Sequence, residues 1–321
     1  MRKFLLICLL FATASQLTKA QNTTATGSVK DDKGNPLHFV FVADMQNKTA
    51  TFSDSLGNFT IAVHPDSKLQ FQLAGYESAS VTVANNASPE VVLKSAGGAN
   101  PQPVIVAMAI GQTTGNASVV NLADGGTVAP GHQKGAAHGN RYLLDNFAHG
   151  YIINASDELM YKPNFLLDYD KIGGFVLQAS DNKAMTQLSY DQVKSFTLFS
   201  DKDVLMTFEK APAIDQAHYV QVIASGKKYK IYKLIKTKFV KSDYVNTGVA
   251  SHGNDYDEFV DDADYYVLDV QANQSKKLSL KKKSIKENFA KDADKVNKYL
   301  SDNSGDIDDA YLSKLGDYMN Q

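Results

Sequence analysis

The chain has 321 residues, room for two domains of about 150 residues each. At 43% apolar and 21% charged residues it has an ordinary globular composition, which excludes a disordered or coiled-coil chain. The net charge of −2 gives no bulk electrostatic reason to expect nucleic acid as a partner. Tyr and Phe are plentiful at 16 each, and with many Val and Thr residues they lean the chain towards strands.

Residues 1–20 read as a targeting segment. Arg2 and Lys3 form a basic start, "FLLICLLFA" is a short apolar core, and "TKA" ending at Ala20 is a small-residue cleavage site. Cleavage after Ala14 is the alternative. The apolar run is too short to span a bilayer, and no later run is longer. The only cysteine, Cys8, falls in this segment. Lipid attachment there would want a small residue at the preceding position, where Ile7 stands. Once the segment is removed, no thiol remains for a disulfide, a metal or nucleophilic chemistry.

Residues 21–95 read as seven short strands at roughly ten-residue spacing, the pattern of an all-β sandwich. "TATGSVKD" leads into the turn "DDKGNPL". "HFVFVAD" is apolar on both faces, Phe39, Phe41 and Ala43 against Val40 and Val42, as a strand covered on both sides would be. "KTATFSD", the turn "SLGN" and "FTIAV" follow. "LQFQLAGYES" alternates Leu69, Phe71 and Leu73 with Gln70 and Gln72, and "ASVTVAN" and "EVVLK" close the series. Within "FSDSLGNFTIAV", Asp54 and Gly57 suit a tight turn: an Asp can accept from its own backbone two residues on, and Gly tolerates positive φ. A calcium loop would need further carboxylates at fixed spacing, and none lies near.

Residues 96–139 are dense in Gly, Ala, Asn and Thr and read as a flexible linker carrying at most one or two weak strands. Residues 140–321 form a second, mainly β unit. "RYLLDNFAHGYIIN", "FLLDYDKIGGFVLQAS", "VKSFTLFSD", "DVLMTFEK", "YVQVIASGKKYKIYKLIKTKFVK" and "DYYVLDVQANQSKKLSLKK" read as strands and hairpins. Two short amphipathic helices close the chain. The first carries Ile285, Phe289, Val296 and Leu300 on one face, with Ser284 and Glu287 as a capping box; the second carries Ile307, Tyr311, Leu315 and Tyr318.

The segments "GSVKDDKGNPLHFVFV", "TFSDSLGNFTIAV", "LQFQLAGYES" and "VVL" together resemble the carboxypeptidase regulatory-like domain, over residues 27–94. The resemblance implies a transthyretin-like sandwich, at home in Bacteroidetes envelope proteins that include outer-membrane receptors, and it brings no peptidase site. Ser53 stands before Asp54 where the family motif usually has Thr. Residues 140–321, through "GKKYKIYKLIKTKF", "DEFVDDADYYVL" and "KKLSLKKKSI", are similar to the C-terminal part of secreted Bacteroidetes proteins to which no activity is attached.

Chemistry-bearing clusters are few. The acidic run "DYDEFVDDAD" offers Asp255, Asp257, Asp261 and Asp262 as calcium candidates, with Glu258 and Asp264 beside them. Its other reading is a solvated loop leading into "YYVLDV". The lysines 276, 277, 281, 282 and 283 read as ends of a half-buried strand, close to that loop across a hairpin. The seven histidines (His38, His64, His132, His138, His149, His218, His252) show no metal-ligand spacing, and no nucleophile elbow or phosphate loop occurs. The expectation is a non-catalytic exported protein of the periplasm, outer membrane or exterior, with no cofactor, which recognises an envelope protein or a glycan. The alternatives are a secreted hydrolase acting on carbohydrate or peptide through the second unit, and a calcium-stabilised adhesion module.

Overall fold

The computed structural model describes residues 23–83, 88–97, 137–180 and 185–321. The targeting segment and nearly all of the expected linker lie outside the described residues. The chain is mainly β, with an N-terminal sandwich, a large C-terminal sheet and helices at the end.

The sandwich has the expected strands: β1 (Thr23–Asp31), β2 (Phe41–Asp44), β3 (Thr49–Phe52), β4 (Asn58–Val63), β5 (Lys68–Gln72), β6 (Ala79–Thr82) and β7 (Glu90–Leu93). One sheet runs β4-β1-β7 and the other β3-β2-β5-β6. Only the β1–β7 pairing is parallel; the rest are antiparallel. In β4, Phe59, Ile61 and Val63 point into the core while Asn58, Thr60 and Ala62 face water. They meet Val40, Val42, Leu69 and Phe71 from the opposite sheet and Val91 and Leu93 from β7.

The turn between β3 and β4 forms as its residues suggest. Asp54 Oδ1 accepts from the backbone N–H of Leu56 and Asn58 at 2.9 and 2.8 Å. Gly57 takes φ 78°, and a Cβ there would fall 2.5 Å from the carbonyl of Val29, so glycine is required twice over.

The second unit is built on one antiparallel sheet of β8 (Ala148–Asn154), β9 (Leu159–Met160), β10 (Phe165–Asp170), β11 (Phe175–Ser180), β12 (Met185–Leu188), β13 (Val193–Phe199), β14 (Leu205–Lys210), β15 (Tyr219–Ser225), β16 (Tyr229–Val240), β19 (Glu258–Asp269) and β20 (Gln274–Leu278). The small hairpin of β17 (Val245–Asn246) and β18 (Ser251–His252) lies between β16 and β19. The order is β12-β11-β10-β8-β13-β14-β15-β16-β19-β20, with β9 beside β8.

Three helices close the chain, where the sequence suggested two: α1 (Lys282–Asn288), α2 (Ala293–Asp302) and α3 (Asp309–Asn320). The expected first helix breaks at a 3-10 turn over Ala290–Asp292. There Phe289 sets its ring edge-on to Tyr229 at 4.8 Å, and Asp292 accepts a 2.8 Å hydrogen bond from the Tyr229 hydroxyl. That anchor pulls the chain off a straight helical path, although Ile285, Phe289, Val296 and Leu300 are buried as the periodicity required. Ser284 is not the N-cap: α1 starts after Lys281, and the Ser284 hydroxyl accepts from the Ser279 N–H instead. Asp308 caps α3, accepting from the Tyr311 N–H at 2.8 Å. α3 lies on β15 and β16 at Gly316, where a Cβ would come within 2.2 Å of Ala224. Its last turn is fixed by Asn320, whose Oδ1 accepts from Lys228 and Tyr229 N–H and whose Nδ2 donates to the Tyr229 and Gly316 carbonyls.

Candidate functional site

The two units meet through an aromatic seam. In β2, alternation sends Val42 into the sandwich core and Phe41 and Ala43 outwards. The outward side chains, with Phe52 from β3, pack against Leu159, Phe199, Tyr151, Ile153 and Tyr161 of the second unit. Phe41 stacks on Tyr161 at 3.8 Å and Phe52 on Phe199 at 5.4 Å. The Tyr151 hydroxyl donates to the Ala50 carbonyl at 3.2 Å. Each such ring pair contributes about 0.5–1.5 kcal/mol beyond its buried area.

A kink ahead of β2 delivers one more ring. Phe39 has φ 61°, in the left-handed region that a bulky residue adopts only under constraint. The constraint is Ser53, which is fully buried. Its hydroxyl donates to the Leu37 carbonyl at 2.7 Å and accepts from the Val40 N–H at 2.9 Å. The position where the family motif usually carries Thr is therefore a structural hydroxyl. Phe39 lies between two imidazoles, stacked on His38 at 3.5 Å and on His149 at 4.4 Å.

Charged groups pin both rims of the seam. Asp203 accepts from His38 Nε2 at 2.8 Å and from the Ser55 hydroxyl at 3.0 Å. Asp157 is held by Lys48 of the sandwich and by Lys194, at 2.7 Å from the latter. Both aspartates sit in left-handed turns, with φ 59° and 64°. The two lysines hold the Asp157 carboxyl down to about 2. The Asp203 carboxyl is also lowered: its partial burial acts against ionisation, and the His38 and Ser55 hydrogen bonds outweigh it. His149 is displaced further. Its Nδ1 is sealed from water and has no hydrogen-bond partner. Burial, with a smaller repulsion from His38, lowers its imidazole from 6.5 to about 4.

A second cluster lies where the chain enters the second unit. "RYLLDNFAHGYIIN" is not one strand: residues 141–147 are irregular, and Tyr142 bridges to Asp170 as an interrupted continuation of β8 along β10. Asp168 fills the interruption. It is fully buried, and Oδ1 accepts from the Leu144 N–H at 3.2 Å and the Tyr169 N–H at 2.7 Å, while Oδ2 has no partner. Burial pushes this carboxyl up to about 7, against the two backbone bonds and Lys171. Asp170, equally buried, takes Arg141 through Nε at 2.8 Å and Nη2 at 2.7 Å. The buried Lys171 reaches Asp261 at 2.6 Å.

A cleft of about 120 Å³ opens where β8 parts from β10, lined by Tyr151, Met160, Tyr161, Phe165 and Gln178 among others. No carboxylate among the described residues lines it; Asp168 and Asp170 are turned to the entry segment instead.

The acidic run is strand rather than loop. Residues 258–264 begin β19, where they lie opposite the basic half of β16. Asp264 pairs with Lys236 at 2.6 Å and Lys277 at 2.5 Å, and Asp261 accepts from Thr237 at 2.6 Å besides Lys171. Complementary cross-strand charge is what keeps so acidic a segment extended. Among the calcium candidates, Asp257 accepts from the Ser242 N–H at 2.8 Å and Asp262 from the Ala263 N–H at 2.9 Å, and Asp255 lies ahead of the strand. Among the described residues no group of three His, Cys, Asp or Glu side chains is placed to hold a metal. Lys276 and Lys277 lie on β20 facing β19 as expected, whereas Lys281 to Lys283 begin α1. No helix among the described residues is long and apolar enough to cross a membrane.

Residues 25–106 match the CarboxypepD_reg-like domain. The match covers the sandwich from the third residue of β1 onwards, including Ser53 and the Asp54–Gly57 turn. No curated protein matches the chain.

Proposed function

We propose that the protein is a non-catalytic, exported component of a Bacteroidetes cell envelope, a binding and structural module that recognises an envelope protein or a glycan. The observation that carries this reading is the seam. The sandwich packs on the second unit through one aromatic face, with ion pairs and hydrogen bonds at its rims. The targeting segment over residues 1–20 supports export. The match over residues 25–106 is to a domain type consistent with a non-catalytic module. Peripheral association with the outer membrane fits a mature chain without a spanning run.

Fractionation of cells producing the tagged chain, followed by crosslinking and pull-down from the envelope, tests this. The expected result is a mature chain beginning at Gln21 in the envelope fraction with a reproducible partner or bound glycan. An uncleaved chain confined to the cytoplasm overturns it.

A further inference from the structure

We propose that the seam is an acid-released latch with His149 as its trigger. Acidification would part the sandwich from the second unit and uncover the ring faces of Phe41, Phe52 and Tyr161.

The argument starts from geometry. His149 lies on β8, at the centre of the joint, with Phe39 stacked over its ring and Phe52 at 6.1 Å. Its Nδ1 has neither water nor a protein partner. A proton on this ring adds a charge whose Nδ1–H has no acceptor while Phe39 stays in place. Opening the seam hydrates it. Acid therefore favours the open arrangement.

The titratable neighbours are His38, across Phe39, and Tyr151, two residues along β8; β3, β10 and β13 present Phe52, Leu166 and Phe199. His38 is bonded to Asp203 at the rim, and it repels a charge on His149. The centre gives way when His149 takes its proton.

The sign follows from the depressed imidazole. The contribution of a neutral His149 to the closed state is whole above about 6.5 and is lost as pH falls towards 4. Binding a proton near 6.5 in the open form and near 4 in the closed form shifts the opening equilibrium on the order of 100-fold by pH 4. This is an upper figure, because part of the ring remains in contact with water.

The test is amide hydrogen exchange on the full chain at about pH 7.5 and about pH 5, with exchange times scaled for intrinsic chemistry. The expected result is a loss of protection of about tenfold or more in segments 38–53 and 148–161, with β15 and the buried half of β16 unchanged. His149→Phe should abolish that loss while keeping neutral-pH protection. Equal seam protection at both pH values in the wild type, or an undiminished acid loss in the variant, overturns the proposal. Should the variant not fold, NMR titration of the His149 ring in the wild type decides: a midpoint near 4 supports the latch and one near 6.5 overturns it.

Discussion

The seam and the entry segment are both places where β8 meets something outside its own ladder, and they are held by opposite chemistry. At the seam, rings are stacked on rings, charges are kept to the rims, and the imidazole at the centre is a base held neutral. At the entry segment the backbone is threaded over Asp168 and Asp170, and one of these acids is pushed towards its neutral form. Burial drives both displacements, but the two groups carry opposite charges when ionised. The sandwich joint should therefore weaken in acid and the entry segment in base. A protein that unfolds as one unit would hide this difference, whereas local probes would reveal it.

The largest expected effect separates the seam from the two cores. Phe41→Ala removes the ring stacked on Tyr161 and should cost about 3–5 kcal/mol if the two units unfold together. In denaturant melts, a single transition moved by that amount makes the seam part of one cooperative structure. A split into two transitions makes it a joint between independent units. Next is Arg141→Met, which leaves the buried Asp170 without its cation. Because the guanidinium is 43% exposed, the loss should be about 2 kcal/mol, below that of a wholly buried pair.

Asp168→Asn should act in the opposite direction. The wild-type carboxyl is raised from 3.8 to about 7, so its contribution to stability is whole below about 4 and is lost as pH rises through 7. The asparagine variant should gain about 2 kcal/mol at pH 8 relative to wild type, with a flatter pH profile between 4 and 8 in calorimetry. A variant less stable at every pH would show that burying an unpartnered amide NH2 costs more than burying the carboxylate. The smallest effect belongs to the rim. Asp203→Asn should cost under about 1 kcal/mol and should lose most of that in high salt, since the pair is partly exposed.

The sandwich was legible almost residue by residue. Its strands alternate cleanly, as in "NFTIAV", and its turn residues have fixed conformational needs, as at Asp54 and Gly57. The seam was visible only as an oddity: "HFVFVAD" is apolar on both faces, which says that both are covered but not by what. The second cover comes from Tyr161 and Phe199, more than 100 residues away, and no local pattern encodes that pairing. The acidic strand was misread for a related reason. Six carboxylates close together argue for solvent until the lysines of β16 are placed opposite them. Asp168 gave no signal at all, because its environment is made by an interruption in a ladder. The helix break at Phe289 is similar, since the periodicity runs straight through it and only the Tyr229 hydroxyl explains the turn.

The parallel pairing of β1 with β7 has a consequence for the order in which the chain is made. The sandwich cannot complete its first sheet until Leu93 has been synthesised, yet from then on every strand it needs is present. Its outer face has to wait for Tyr151, Tyr161 and Phe199. A sandwich that folds ahead of those residues would hold Phe41 and Phe52 bare, a surface that invites aggregation or a chaperone. Only later residues of the same chain cover that aromatic face.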